Sequence, residues 1–242
     1  MEPAADLAAI GRLMGDPHRA QILQILLSGV PQSGSSLASA LGISRSLASA
    51  HLGKLTAGGL VRAERSGRNQ LYSIAGTPVA DAIEMLLLIS PLAPVQSLRG
   101  AVRMRSLRWA RMCYDHLAGV VGVAIADTLI ALDVVGEPDG AWLLGPRGPA
   151  VLGELGLDVP ALRRRTRPLL RACVDWTERR HHIAGSAGAA VADELFRRDW
   201  ARRQEGTRIV TVTPAGRAGL ASWLGLDVAA LRDQPAAATR GA

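Results

Sequence analysis

The chain has 242 residues and a mass of 25.4 kDa, which allows one large domain or two to three small ones with a sizeable core. Hydrophobic residues make up 48% and charged residues 20%, a globular composition that excludes a disordered chain. Lys and Arg number 28 against 21 acidic residues, for a net charge of +7. Lys54 is the single lysine, so the positive charge is nearly all arginine, the side chain suited to bidentate phosphate or carboxylate contacts. A pI near 10.8 draws such a chain toward polyanions, nucleic acid or an anionic membrane surface.

The N-terminus carries Glu2 and Asp6 without a basic segment followed by an apolar core, so it does not read as a signal peptide, and a cytoplasmic protein is expected. The longest apolar run, Gly119 to Gly136, holds Asp127 and Asp133 and has no aromatic belt; a membrane span is rejected. Cys113 and Cys173 stand sixty residues apart with no Cys-x-x-Cys pair, which excludes a disulfide framework and a zinc finger.

In chain order, Asp16 as N-cap and Pro17 in the first turn open a helix whose Ile22, Leu23, Leu26 and Leu27 recur at helical spacing up to Gly29. A short helix is expected over Ser35 to Leu41, a tight turn at Gly42, and a further helix capped by Ser44 and running to about Ala57. That is a helix-turn-helix. Leu60 to Ser66 and Gln70 to Ile74 alternate as strands around the tip Gly67-Arg68-Asn69. Pro78 to Ile89 reads as a helix whose Val79, Ile83, Leu86 and Leu87 form a stripe suited to a dimer interface, and a domain boundary is placed between residues 91 and 100.

Four strings in this segment, Leu13-x-x-Asp16-Pro17-x-Arg19-x-x-Ile22-Leu23, Ser44-x-Ser46-x-x-Ser49-x-His51-Leu52-x-x-Leu55, Gly59-Leu60-Val61 and Gly67-Arg68-x-x-x-Tyr72, resemble the ArsR/SmtB family of winged-helix repressors over residues 5 to 90. The resemblance implies a homodimer with the second helix of each motif in the major groove and the wing on flanking phosphate or minor groove. Independently of it, a pitch of about 100° per residue puts Ala48, Leu52 and Leu55 on the buried side of that helix and Ser46, Ala50, Gly53 and Lys54 opposite. Small outward residues allow close approach to base edges. The expected DNA-facing set is Arg45, Ser46, Leu47, Ser49, Ala50, His51 and Lys54 with Arg65, Arg68 and Asn69 of the hairpin. Within it, His51 lies beside the buried stripe and reads more as a half-buried, hydrogen-bonded ring than as a base reader. The family's metal sites do not carry over. Ser36 to Leu41 contain no Cys or His, and Pro78 to Ile89 offer only Asp81 and Glu84.

Beyond residue 100 the chain repeats itself. Cys113-Tyr-Asp115 matches Cys173-Val-Asp175, His116-Leu-Ala-Gly matches His182-Ile-Ala-Gly, Asp127-x-Leu129 matches Asp193-x-Leu195, and Gly156-Leu-Asp-Val matches Gly225-Leu-Asp-Val. The offset drifts from 60 to 69 residues, with the largest insertion between Trp176 and His182. Each unit is expected to be a helix, a loop or hairpin and a further helix, a degraded winged helix; the tail Pro235 to Ala242 is expected to fray.

Cys113, Asp115, His116, Cys173, Asp175, Trp176 and His182 are the ligand or sensor candidates. Cys113 and His116, at helical i, i+3, would share a face and could bind a soft metal. Redox sensing and plain packing use the same residue types, and since neither repeat alone closes a four-ligand set, no metal site is assigned. The five tryptophans, all beyond residue 108, suit a ligand cleft and core packing equally. Arginines 163 to 165, 167, 171, 179 and 180 read as solvated faces or extra phosphate contacts.

The expectation is therefore a mainly α chain with small β hairpins: a winged helix-turn-helix domain over 1–92, then a C-terminal domain over 100–242 of two repeats, about 107–168 and 169–233. It reads as a non-enzymatic regulator, more a repressor than an activator, whose partners are double-stranded DNA, a second copy of itself and a small-molecule effector, with no membrane and no cofactor. The competing readings are a metal- or redox-responsive protein or enzyme centred in the repeats, and a nonspecific nucleoid-type binder. Against an enzyme, there is no Gly-rich phosphate loop, Gly-x-Ser-x-Gly elbow or His-Glu-x-x-His.

Overall fold

A computed structural model describes residues 5–91, 97–137 and 140–233. The boundary expected at 91–100 falls largely on residues 92–96, and the tail 235–242 likewise lies outside the described residues. The chain divides into two compact units, Met1–Glu84 with Glu205–Arg208, and Met85–Gln204 with Ile209–Ala242. The architecture is mainly helical with small antiparallel hairpins, and the N-terminal part is a winged helix-turn-helix.

The first unit runs α1 (Leu7–Met14), α2 (Pro17–Leu26), β1 (Gln32–Ser33), α3 (Gly34–Leu41), α4 (Arg45–Ala57), β2 (Val61–Ser66), β3 (Asn69–Ile74) and the start of α5 (Thr77–Ile89). The starts of α2, α3 and α4 are set by side-chain caps. Asp16 accepts from the Arg19 amide, Ser33 from Ser36, and Ser44 from Leu47. Gly42, at φ 70°, closes α3 in the left-handed conformation and frees the chain to turn into α4. Ile22, Leu23, Leu26, Leu27, Leu37, Leu52, Leu55 and Ile74 are almost fully buried, and each large aliphatic chain taken out of water contributes roughly 1.5–3 kcal/mol. The wing is the β2–β3 ladder from Val61↔Ile74 to Ser66↔Asn69, with β1 added on β3. Asn69 is thus a strand residue, and the tip is Gly67-Arg68. The helix α1 and strand β1 are additions to the sequence reading.

The second unit contains α6 (Leu98–Trp109), β4 (Arg111–Cys113), β5 (His116–Ala118), α7 (Gly119–Ala131), β6 (Val135–Gly136), β7 (Leu143–Leu144), α8 (Gly148–Glu154) and α9 (Val159–Arg163). It continues with β8 (Arg171–Val174), β9 (His181–Ala184), α10 (Gly185–Arg197), β10 (Ala201–Arg203), β11 (Val210–Val212), α11 (Pro214–Leu224) and a 3-10 turn at Ala230–Asp233. Each repeat is hairpin, helix, hairpin, helix and a final short turn of helix, so the hairpin that opens each one precedes the helix the sequence pattern showed. Helix α7 packs against β9 and α10 against β5, so each repeat's long helix covers the other's hairpin. Gly122 and Gly188 let each long helix pack back closely on the hairpin of its own repeat: a Cβ there would stand 2.5 Å from the Leu117 carbonyl oxygen of β5 and 2.3 Å from the Ile183 carbonyl oxygen of β9. The apolar run 119–136 is the core helix α7, buried over most of its length, followed by a turn into β6, and no helix among the described residues is long and apolar enough to cross a membrane.

Candidate functional site

The turn α3–Gly42–α4 presents one polar face. Ala48, Leu52 and Leu55 are fully buried, while Arg45, Ser46, Leu47, Ser49, Ala50, Gly53 and Lys54 are exposed. Ser46 lies 3.0 Å from the capping Ser44 hydroxyl, so the first turn carries two hydroxyls beside the Arg45 guanidinium. In the wing, Arg65, Arg68 and Asn69 are exposed, with Arg65 opposite Gln70. A small-residue helix face flanked by cations on a helix and a hairpin has the chemistry of a duplex DNA reader: base edges for the helix, phosphates for the arginines.

His51 departs from that set. It is 7% exposed, its Nδ1 stands 3.6 Å from Asp16 Oδ1 and its ring centroid 5.3 Å from that of His18. The helical pitch places position 51 next to Leu52 on the inner side, so the ring packs against the start of α2 and cannot meet a base. The Asp16-Pro17-x-Arg19 string has a structural reason of its own. Asp16 caps α2, and Arg19 donates to the carbonyls of Leu13 (2.6 Å) and Arg12 (2.7 Å), closing the end of α1.

The second constellation lies in the repeats. Cys113 and His116 are not on a helix: they are directly opposed across the β4–β5 ladder, joined by the two-residue turn Tyr114-Asp115. Cys173 and His182 are opposed in the same way across β8–β9, with the insertion forming the longer loop 175–180. Antiparallel partners bring their side chains to one face. The two faces meet, so that all four ligand-type atoms lie within 4.8 Å of one another and all four residues are buried. Cys113 Sγ and Cys173 Sγ are 3.8 Å apart, and His116 Nε2 and His182 Nε2 are 3.2 Å apart.

Each imidazole has a carboxylate behind it. His116 Nδ1 is 2.9 Å from Asp115 Oδ1, and Arg167 pairs with the other Asp115 oxygen and donates to the Gly185 carbonyl at 2.8 Å. His182 Nδ1 is 3.7 Å from Asp175 Oδ2. Burial opposes charge on His116, but the Cys113 sulfur and the Asp115 carboxylate outweigh it and raise the ring to about 9. Asp115, despite burial, is lowered to about 2 by its bonds to His116 and Arg167. Asp175 is held far below the usual carboxylate range: burial works against ionisation, and Arg111, His182 and several donated hydrogen bonds overcome it.

Asp175 accepts from Gly119 N (2.6 Å), Thr177 N (2.9 Å), Thr177 Oγ1 (2.7 Å) and Glu178 N (3.0 Å). It orders the 175–180 loop and ties it to the start of α7. Trp176 does not join the cluster; its ring lies beneath the Arg111 guanidinium at 4.8 Å. The other tryptophans serve the core: Trp142 is buried, Trp109, Trp200 and Trp223 pack against the main apolar cluster, and Trp223 donates to the Val151 carbonyl at 2.8 Å. A cavity of about 680 Å³ in the same unit is lined by Trp109 together with Arg105, Arg108, Glu178, Arg180 and Arg232. Within the arginine clusters, the half-buried Arg167 is committed to Asp115, whereas Arg180 pairs with Asp127 at 2.7 Å and stays exposed to solvent. The fully buried Arg111 was not singled out from sequence. Its signal was the repeated string Arg111-x-Cys113-x-Asp115 and Arg171-x-Cys173-x-Asp175.

A family profile described as a helix-turn-helix domain matches residues 14–64. The chain is 36% identical over 212 residues to the uncharacterized HTH-type transcriptional regulator YdfF of Bacillus subtilis (strain 168), covering 88% of this chain and 94% of that protein. It is 42% identical over 83 residues to the HTH-type transcriptional regulator CmtR of Mycobacterium tuberculosis, covering 34% of this chain and 70% of that one. Among solved structures, the homodimeric winged helix-turn-helix DNA-binding domain of Mb0332 from Mycobacterium bovis is 33% identical, covers 37% of this chain and 89% of that chain, and superposes with a TM-score of 0.33. Since the YdfF likeness spans the reading head and the repeats alike, the chain belongs to the HTH-type transcriptional regulators, with a DNA-binding region of the ArsR/SmtB kind.

Proposed function

We propose that the protein is a homodimeric repressor that binds a pseudo-palindromic operator through α4 and the β2–β3 wing, and that its C-terminal unit receives the signal that changes this binding. In this reading residues 1–92 are the DNA-binding and dimerisation domain and 100–242 the sensory domain of two tandem repeats, working in the cytoplasm without catalysis. The observation that carries it is the face of α4. Seven exposed positions, Arg45, Ser46, Leu47, Ser49, Ala50, Gly53 and Lys54, back onto a buried stripe at Ala48, Leu52 and Leu55, and exposed Arg65 and Arg68 flank them on the wing. Met85, Leu86 and Ile89 of α5 are 55%, 42% and 75% exposed, an apolar stretch that supports self-association. Two copies would place their reading helices on half-sites about one helical turn, or a multiple of it, apart.

Footprinting on the DNA upstream of the protein's own coding region tests the proposal. The expected result is protection of an inverted repeat that is lost when Ser46, Ser49 and Lys54 are replaced together by Ala. Absence of protection at any inverted repeat, or protection unchanged in that variant, contradicts it.

A further inference from the structure

We propose that Cys113, His116, Cys173 and His182 form a closed tetrahedral site for one thiophilic divalent cation of the zinc class per chain. Two thiolates and two imidazoles are the donor set that selects tetrahedral zinc-like ions over hard, oxygen-seeking ones. Zinc–sulfur bonds of about 2.3 Å and zinc–nitrogen bonds of about 2.0 Å at tetrahedral angles require edges of about 3.8 Å between sulfurs and about 3.3 Å between nitrogens. The edges here are 3.8 Å and 3.2 Å, and every ligand atom falls within 4.8 Å of the rest.

The backbone explains why the set is complete only across the repeats. Each hairpin contributes one Cys and one His as a cross-strand pair, Cys113↔His116 and Cys173↔His182; the reciprocal packing of α7 on β9 and α10 on β5 brings the two pairs together. The second layer is of the kind that orients metal ligands. A carboxylate lies behind each ring, Asp115 at 2.9 Å from His116 Nδ1 and Asp175 at 3.7 Å from His182 Nδ1, and both Nε2 atoms turn to the same point. Without the ion, the 3.2 Å Nε2–Nε2 contact is a hydrogen bond with one ring as donor and the other as acceptor, and metal binding displaces that proton.

All four ligand residues are buried, at 2%, 2%, 9% and 0% exposure in chain order. A closed site of four protein ligands leaves no position for a water or a substrate, so this centre binds and signals and does not catalyse. The cation would cross-link hairpins about sixty residues apart in sequence. That its occupancy alters operator affinity rests on the regulator reading above, whereas metal binding itself stands without it.

The test uses full-length protein made without a histidine tag, reduced and stripped with chelator, then titrated with Co(II) in the absence of DNA. The expected result is the visible absorption of tetrahedral cobalt with a thiolate charge-transfer band, a break at one equivalent, and bleaching by Zn(II). Cys113→Ser and His182→Gln should each weaken uptake by more than about 100-fold, and Asp115→Asn by about 10–100-fold with the spectrum retained. Should these variants fail to fold, the wild-type titration still decides, together with the slowing by Zn(II) of chemical modification at both thiols. No tetrahedral band in the wild type, or a band that survives Cys113→Ser with Cys173→Ser, overturns the proposal. So does a Cys113–Cys173 disulfide in air-purified protein that takes up no cobalt once reduced. None of these outcomes bears on operator binding, so loss of one reading leaves the other intact.

Discussion

Arg111 and Asp175 form an ion pair in which both side chains are completely shielded from solvent, with Nη2 3.0 Å from Oδ1. Arg111 also donates to Thr177 Oγ1 at 3.1 Å and lies over the Trp176 ring, and Asp175 reaches the first amide of α7. One buried cation therefore holds the loop that positions His182. Removing one partner of a buried pair leaves the other charge without compensation, at about 3–5 kcal/mol. Arg111→Met should lower the stability of the C-terminal unit by that amount in urea denaturation, and Asp175→Asn added to it should recover part of the loss. A cost below about 1 kcal/mol for Arg111→Met would show that the pair contributes little.

Glycine substitutions separate two kinds of position. Gly122→Ala and Gly188→Ala drive a Cβ into the Leu117 and Ile183 backbone, where nothing flexible can give way. Each should cost more than about 2 kcal/mol by thermal denaturation, at the upper end of overpacking effects. Gly53→Ala meets nothing within 4 Å and should stabilise α4 by about 1 kcal/mol through helix propensity. On the DNA-facing reading, the same added methyl should weaken operator binding, so stability and affinity move in opposite directions; a parallel rise would remove Gly53 from the interface.

Glu194 sits between Arg197 and Arg198, with the nearest contacts at 2.6 Å and 2.5 Å. The hydrogen bonds from Arg197, and then those from Arg198, outweigh partial desolvation and hold its carboxyl at about 2 against an ordinary 4.5. A carboxyl depressed on folding adds stability above its unfolded value, and that stability is lost as the pH falls toward the folded one. Glu194→Gln should therefore be less stable than wild type at pH 7, with the gap closing between pH 4.5 and pH 2. An equal gap at both ends of a pH series of denaturation curves would mean that the Glu194 charge is not responsible.

The exposed apolar end of α5 gives a direct check on self-association. Met85→Glu combined with Ile89→Glu puts charge on side chains 55% and 75% exposed, so folding should be unaffected. Sedimentation should then show a monomer at concentrations where the wild type is a dimer. An unchanged dimer would place the interface elsewhere.

The reading head was legible because its signals are local. Asp16, Ser44 and Gly42 announce helix ends within four residues, and the spacing of Ala48, Leu52 and Leu55 fixes the inner face of α4. That same spacing leaves His51 beside Leu52, and only the position of Asp16 decides that it turns inward. The Cys/His centre was half legible. Internal repetition showed that Cys113-x-Asp115 and Cys173-x-Asp175 are equivalent, but a helical reading put Cys113 and His116 one turn apart where a two-residue hairpin makes them opposite. The completed set depends on α7 and α10 each covering the other's hairpin, a long-range relation that periodicity within either repeat does not encode. Arg167 shows the same limit: it reads as surface charge, yet it anchors Asp115, and the 5%-exposed Arg208, paired with Glu84, carried no signal in the sequence.

The central claim, that α4 reads DNA sequence, is tested most directly by measuring affinity for the footprinted operator and for random duplex across a salt series. The account predicts operator binding tighter by at least about 1,000-fold at physiological salt. Ser46→Ala with Ser49→Ala should shrink that ratio, and Lys54→Ala should weaken both duplexes alike while reducing the salt slope by about 1. Equal affinity for the two duplexes, or a ratio untouched by the serine substitutions, would contradict it.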